Sequence, residues 1–285
     1  MIYILKNKNM PWGSYGEMLW QGIYYFNERT KIHCISRTAP FCPEIYRSQY
    51  DSQMPVVIVK EDVKNLIENH FTDLNFTEIY KEKIVKIDWQ DWDLSADEPA
   101  IYPSGDMDAE EYIVHRKHSE SLSEEMGKLY ALIPDKEGYA YYDEKDNKEK
   151  LVKSTLSEKD IFVANSLKNQ EIYVSEKMKS FLESNFQNEI YFEPVILADP
   201  ENIQEIKETF LRLDLLKEKS DKMTTKDWQN WHSLKRYAEQ LIEGIDKLKT
   251  DHAKNKRRTK IESLLNQANE IYPLNYEEWM YGFWE

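Results

Sequence analysis

The sequence predicts an α+β fold in which two related strand–helix–strand halves, the product of a duplication, precede a C-terminal helical module. Two patterns predict it: a repeat within the first 195 residues, and a change to purely helical periodicity beyond Asp199. The predicted parts are an N-terminal α+β half at 1–118, a C-terminal α+β half at 119–198 and a helical extension at 199–285. With 285 residues, of which 41% are hydrophobic, the chain can bury a sizeable core.

The repeat consists of two stretches that align at a constant offset: VVIVKEDVKNLIENHFTD, residues 56–73, and EIYVSEKMKSFLESNFQN, residues 171–188. Each copy opens with a short β-branched run that is typical of a strand. Apolar residues at helical spacing follow, and Ser175 is a good N-cap for the second helix. Each copy closes with a second strand-like segment, LNFTEI or IYFEPV. The repeat therefore predicts two halves in which a helix covers one face of a small sheet.

Beyond Asp199 the apolar residues follow three helical stripes. The longest contains Trp228, Trp231, Leu234 and Ala238, and the last contains Ile261, Leu264 and Ala268. Isolated helices with such stripes would expose a large apolar surface, so we expect them to pack as a module.

Composition excludes several classes of function. Asp and Glu number 52 against 38 Lys and Arg, a net charge of -14, which argues against a general phosphate-binding surface. We therefore expect no direct nucleic-acid binding and a basic protein as the more natural partner. None of the eight glycines forms GxGxxG, GxxxxGK or GxSxG, so phosphate-loop enzymes and α/β-hydrolases are disfavoured. We expect no cofactor.

Cysteine spacing and the length of the apolar runs indicate the cellular compartment. The two cysteines, Cys34 and Cys42, have no CxxC spacing, so neither a disulfide framework nor a zinc knuckle is predicted. No apolar run approaches the length of a signal-peptide core or a membrane span. We expect a cytoplasmic protein without membrane contact.

The stretch from Asp88 to Glu111 carries nine acids and no Lys or Arg, and it begins with two tryptophans three residues apart. In the binding interpretation, the tryptophans anchor a partner and the carboxylates select a cationic surface. The candidate contact residues are Trp89, Asp91, Trp92, Asp93, Asp106 and Asp108. In the alternative, both tryptophans close the edge of the N-terminal core and the acids are simply solvated.

A metal-dependent hydrolase remains a second alternative for this stretch, because hard cations such as calcium and magnesium bind clustered carboxylates. Asp106 with Asp108, or the acids at 88, 91 and 93, would be the ligands, although the twelve-residue calcium-loop pattern is absent. His115 and His118 could share a helix face as metal ligands or acid and base, but surface histidines are the simpler interpretation. The basic run at 251–260 is interpreted as a solvated helix end or a counterweight to the acids.

Three segments of the first half carry a family resemblance: ISRTAPFCPEI at 35–45, KIDWQDWDLSADEPAIYPSGD at 86–106 and HSESLSEEMGKLYAL at 118–132. In these segments the chain resembles one group of predicted immunity proteins of bacterial polymorphic toxin systems. The second half, from DIFVANSLKN to YFEPV, is similar to a related immunity group, so the resemblance covers roughly the first 195 residues. It implies a non-catalytic protein that binds and blocks the toxin of a neighbouring gene, often a nuclease. A scaffold or regulator that binds partners through the C-terminal helices is the remaining alternative.

Overall fold

The computed structural model describes residues 1–27, 29–48, 55–88, 93, 95–105, 107–143, 148–166, 170–243 and 250–272. They confirm the α+β class, because the described chain contains both helices and strands and two of its three sheets are mixed. The chain divides into two compact units, unit 1 at 1–200 and unit 2 at 201–285.

Unit 1 contains all of the described strands and five helices. In chain order its elements are β1 Ile2–Asn7, α1 Gly13–Gln21, β2 Ile23–Asn27, β3 Ile32–Ala39, β4 Ile45–Arg47, β5 Val57–Lys60, α2 Glu61–Glu68, β6 Asn75–Glu78, β7 Tyr80–Lys86, α3 Ala109–His115, α4 Glu120–Glu125, β8 Leu129–Ile133, β9 Asp135–Asp143, β10 Lys148–Val152, β11 Ile161–Asn165, β12 Ile172–Ser175, α5 Glu176–Phe186, β13 Ile190–Pro194 and β14 Leu197–Ala198.

Three sheets are described in unit 1. A seven-stranded sheet has the order β13-β1-β12-β11-β9-β10-β14, a four-stranded sheet the order β4-β5-β8-β6, and a three-stranded sheet the order β2-β3-β7. Most neighbouring strands are antiparallel, but β3 with β7, β9 with β11 and β10 with β14 are parallel. The seven-stranded and three-stranded sheets are therefore mixed, whereas the four-stranded sheet is antiparallel throughout.

The two copies of the sequence repeat form β5-α2-β6 and β12-α5-β13, and each is completed by a strand from elsewhere. Strand β8 lies between β5 and β6, and β1 lies between β12 and β13, antiparallel to both neighbours in each case. Strand β1 comes from the predicted N-terminal half and β8 from the predicted C-terminal half, so each copy takes its middle strand from the other half. The duplication and the limits of the halves stay predictions.

Both copies pack on one shared core. Val63 and Ile67 lie on α2 and Phe71 lies just beyond its end, and the aligned residues Met178, Leu182 and Phe186 lie on α5; all six are buried in the same cluster. The two copies also touch directly, since the Phe71 ring meets the Phe181 ring of α5 edge to face at 5.2 Å. The predicted cap is confirmed, because the Ser175 hydroxyl accepts the Met178 amide at 3.1 Å.

Polar contacts join β1 and β4 beside this core. The Asn7 side chain donates to the Arg47 carbonyl at 2.7 Å and accepts the Arg47 amide at 2.6 Å. The Arg47 guanidinium and the Lys6 ammonium both pair with the Glu171 carboxylate. On the same strand, the Ile45 amide donates to the Glu189 carboxylate at 2.8 Å. These contacts link the four-stranded and seven-stranded sheets.

Glu189 should make unfolding pH-dependent. Burial raises the pKa of its carboxyl although hydrogen bonds from the backbone oppose the shift. The native protein then binds this proton more tightly than the unfolded chain, so stability falls as pH rises from about 4.3, the ordinary Glu value, through the raised pKa. Glu189→Gln keeps an acceptor for the Ile45 amide but removes the charge. We expect the variant to be more stable than the native protein near pH 7, and the difference to shrink toward about pH 4.

Urea unfolding at several pH values measures this difference directly. Glu193→Gln is the matched control, since Glu193 is exposed on the adjoining strand β13 and its replacement should change stability by less than about 0.5 kcal/mol. A Glu189→Gln protein that is less stable than the native protein at neutral pH would contradict the burial argument.

Unit 2 consists of three described helices, α6 Ile203–Asp221, α7 Thr225–Glu243 and α8 Asp251–Ile271. Trp231 near the start of α7 packs with Ala268 and Tyr272 near the end of α8, and Ala238, farther along α7, packs with Ile261 at the middle of α8, so α7 and α8 run antiparallel. Among the residues that the structure describes, no helix combines the length and apolar character needed to cross a membrane.

Candidate functional site

The candidate site is the acidic segment, defined here as residues 93–111, and it is fastened to the beginning of helix α1. The Trp12 indole donates to the Asp93 carbonyl at 3.3 Å. The Tyr15 hydroxyl lies 2.8 Å from the Ser104 hydroxyl and accepts the Ser104 amide at 3.1 Å. The Tyr15 ring also meets the Tyr102 ring edge to face at 4.8 Å. The start and the middle of the segment are thereby attached to one helix.

A small apolar cluster holds the two ends of the segment. It joins Leu19 of α1 to Val85 and Ile87, which lead into the segment, and to Ala109 and Tyr112 of α3, which close it. All five are buried. The acidic segment is therefore an excursion between two anchored points.

The opposite end of α1 is held by a fully buried arginine. The Arg37 guanidinium donates to the Trp20 carbonyl at 2.5 Å, to the Phe41 carbonyl at 2.9 Å and to the Tyr46 hydroxyl at 2.9 Å. Its Nε donates to the Thr38 carbonyl at 3.1 Å. Burial raises the pKa of the Tyr46 phenol, so a neutral hydroxyl faces the guanidinium. Arg37 thus fixes the helix that carries the acidic segment.

Asp93 is an exposed carboxylate with local partners. Its Oδ1 accepts the Ser95 amide at 3.0 Å and the Ser95 hydroxyl at 2.5 Å. The hydrogen bond from the Ser95 hydroxyl contributes most, followed by the one from the Ser95 amide, and together they hold the pKa of Asp93 below its ordinary value. The side chain therefore stays charged at neutral pH. The turn therefore presents a negative charge to solvent at neutral pH.

Asp108 has a structural role that the sequence analysis did not assign. It is the N-cap of α3, and its Oδ1 accepts the Glu111 amide at 2.8 Å. The carboxylate also favours the positive end of the helix. Because the residue is exposed and has a second oxygen, capping and partner contact are compatible.

Exposed apolar residues lie within the segment, and the sequence analysis missed them. Ile101 is 82% exposed and Tyr102 is 38% exposed. Partial desolvation and the neighbouring Glu98 carboxylate raise the pKa of Tyr102, which keeps its hydroxyl neutral. The PAIYP phrase around Ile101, apolar and free of charge between acids, was the available signal.

Carboxylates precede and follow this apolar pair along the segment. Within the part of the chain that the structure describes, none of the segment's exposed acids forms an ion pair. They are Asp93, Asp97, Glu98, Asp108, Glu110 and Glu111. The segment therefore offers apolar contact and uncompensated negative charge together, which suits a cationic partner.

Four of the predicted contact residues, Trp89, Asp91, Trp92 and Asp106, lie outside the described residues. Their role as anchors and charges stays a prediction, and so does the alternative that the tryptophans belong to the core. Of the predicted contact residues, Asp93 lies near the start of the acidic segment and Asp108 near its end, and both points are attached to α1.

The two histidines have separate surroundings. Helix α3 ends at His115, whereas His118 lies beyond it, where its Nδ1 accepts the Ile84 amide at 2.9 Å and its Nε2 contacts Glu120 at 3.0 Å. Both ring nitrogens of His118 are thus engaged. No group of three or more His, Cys, Asp or Glu side chains among the described residues is placed to hold a metal ion.

Comparison with known proteins adds no relative: no family model, curated protein or solved structure matches this chain.

Proposed function

We propose that this chain is an immunity protein that neutralises a cognate bacterial toxin, encoded nearby, by stoichiometric binding in the cytoplasm. The toxin is a basic protein, for example a nuclease, and the acidic segment binds it. The observation that carries the proposal is the exposed Ile101 and Tyr102 among six exposed carboxylates that have no ion pair in the described structure. The resemblance of the first 195 residues to immunity proteins of polymorphic toxin systems points to the same role.

The way in which the segment is held also supports tight binding. Hydrogen bonds to Trp12 and Tyr15, and the cap at Asp108, order the excursion before any partner arrives. Association then costs less conformational entropy than it would for a free loop. Negative charge on this surface accelerates encounter with a basic toxin and selects against acidic partners.

Co-expression tests the proposal. The protein is produced together with the product of the adjacent toxin-like gene, and growth and co-purification are scored in the same cultures. We expect rescue of growth and a stable complex at a fixed ratio. Toxicity that persists beside a folded, soluble partner would contradict the proposed function.

Variants of the acidic segment test which surface binds. Ile101→Ala combined with Tyr102→Ala should weaken binding by about 2 kcal/mol or more, roughly 30-fold. The protein should stay folded, because Ile101 is exposed and the Tyr15 hydroxyl still holds Ser104 when the Tyr102 ring is removed. Asp108→Asn should weaken binding further while preserving the cap, since Asn and Asp cap helices equally well. Calorimetric titration against the purified toxin measures both effects.

A matched control removes the same apolar groups from elsewhere on unit 1. Ile196→Ala combined with Tyr80→Ala deletes one exposed Ile and one exposed Tyr outside the acidic segment, and affinity should not change. Equal losses from the two double variants would show that the acidic segment is not the binding surface.

A specific observation favours a second candidate, partner binding through the helical unit. Leu211 and Leu215 lie one turn apart on α6 and are 62% and 59% exposed. Deleting 201–285 distinguishes the two: the proposed function predicts that 1–200 still neutralises the toxin, whereas a helical scaffold would lose its partner.

A further inference from the structure

Helix α8 begins with a basic segment, defined here as Lys254, Lys256, Arg257, Arg258 and Lys260. Lys256, Arg258 and Lys260 are exposed, and the other two are half-buried. No acid occurs between Lys254 and Lys260, a stretch of about 9 Å along the helix. The charge is therefore concentrated on two turns of one element.

The helical unit does not share the acidity of the rest of the chain. Residues 201–285 contain 15 Lys and Arg and 16 Asp and Glu, so nearly all of the net charge of -14 lies in residues 1–200. The net charge of the whole chain argues against phosphate binding in general, but this argument does not apply to α8.

The basic segment differs in its pairing from three other helical lysines. Lys64, Lys179 and Lys222 each pair with a glutamate one turn away, at 2.6 to 2.7 Å. Within the described residues, none of the five cations of the basic segment forms an ion pair. Their charge is left for something outside the described chain.

This arrangement works against the stability of its own helix. Lys254 and Arg258, and likewise Lys256 and Lys260, are like charges four residues apart, which repel each other. All five lie in the half of α8 nearest its N-terminus, where the helix dipole disfavours cations. Local rules that a sequence breaks without structural gain are expected at functional sites.

We infer that the basic segment of α8 binds the phosphate backbone of a nucleic acid, without reading its sequence. Dense cations without an ion pair among the described residues match closely spaced phosphates, and the interleaved Asn255 can donate from its amide nitrogen to phosphate oxygens. A protein partner is less suited, because lysine, which supplies three of the five cations, is depleted in protein interfaces. This activity goes beyond the proposed toxin binding and does not depend on it.

Fluorescence anisotropy of the full chain with labelled single-stranded DNA and RNA of mixed sequence tests the inference. If all five cations contact phosphates, the logarithm of affinity falls with the logarithm of salt concentration with a slope of about -3.5. Raising salt from about 50 to about 200 mM then weakens binding about a hundredfold. DNA and RNA should bind alike.

Lys256→Gln combined with Lys260→Gln should reduce the slope to about -2 and weaken binding at low salt. The fold should be retained or slightly stabilised, because a repulsive pair is removed. Lys222→Gln combined with Lys226→Gln is the matched control, since it removes the same charge from exposed positions of unit 2 outside the basic segment. The control should bind as the native protein does.

Three outcomes would overturn the inference. The first is no anisotropy change with either nucleic acid at low salt. The second is equal weakening by the two double variants, which would mean a diffuse charge effect. The third is competition by polyglutamate as strong as that by unlabelled oligonucleotide at equal charge, which would assign the segment to an acidic protein.

Discussion

Arg37→Met is expected to lower the free energy of unfolding by about 3 kcal/mol or more. The substitution leaves several buried acceptors unpaired, and each of them costs roughly 1 to 3 kcal/mol. The guanidinium is fully buried and donates to three backbone carbonyls and the Tyr46 hydroxyl. Methionine fills much of the volume but donates no hydrogen bond, so these acceptors would be buried without partners. Urea unfolding followed by circular dichroism measures the loss.

Two variants sharpen this test. Arg37→Lys keeps the charge, but one ammonium cannot reproduce the planar fork that reaches Trp20, Phe41 and Tyr46, so most of the loss should remain. Arg29→Met is the control, since Arg29 is exposed and its replacement should change stability by less than about 0.5 kcal/mol. If Arg37→Met and Arg29→Met were equally stable, the hydrogen bonds of Arg37 would not hold α1.

Trp231→Ala is expected to destabilise unit 2 by about 3 to 5 kcal/mol. The Trp231 ring is 1% exposed and packs with Trp228 and Tyr272, and its indole donates to the Tyr272 carbonyl at 3.0 Å. Alanine leaves a cavity and an unpaired carbonyl at the point where α7 and α8 meet. Hydrogen exchange resolved along the chain measures where protection is lost.

The loss from Trp231→Ala should be confined to 201–272, because unit 1 has its own core clusters. Leu211→Ala is the control within the same unit, since Leu211 is exposed and contributes little burial. Equal loss of protection in the strands of unit 1 would contradict two independently stable units.

Local sequence determined the α+β class and much of the secondary structure. The aligned positions 63, 67 and 71, and 178, 182 and 186, are buried because helical spacing places them on one stripe whatever the partner. The caps at Ser175 and Asp108, like the reciprocal contacts of Thr224 with Asp227, involve residues at most three apart. Interactions of this kind depend on short-range geometry, which a sequence contains in full.

Only the tertiary structure decided which strands pair and which groups of the site are exposed to solvent. Strands such as β1 and β12, or β8 and β5, pair through backbone hydrogen bonds, and the groups that form them are the same in nearly every residue. A single sequence therefore does not reveal which strands pair. The acceptors of Arg37 come from three separate segments, and the exposure of Ile101 depends on where Trp12 and Tyr15 attach the acidic segment. Composition determined that this surface is negative; packing decided that Ile101 and Tyr102 are exposed on it.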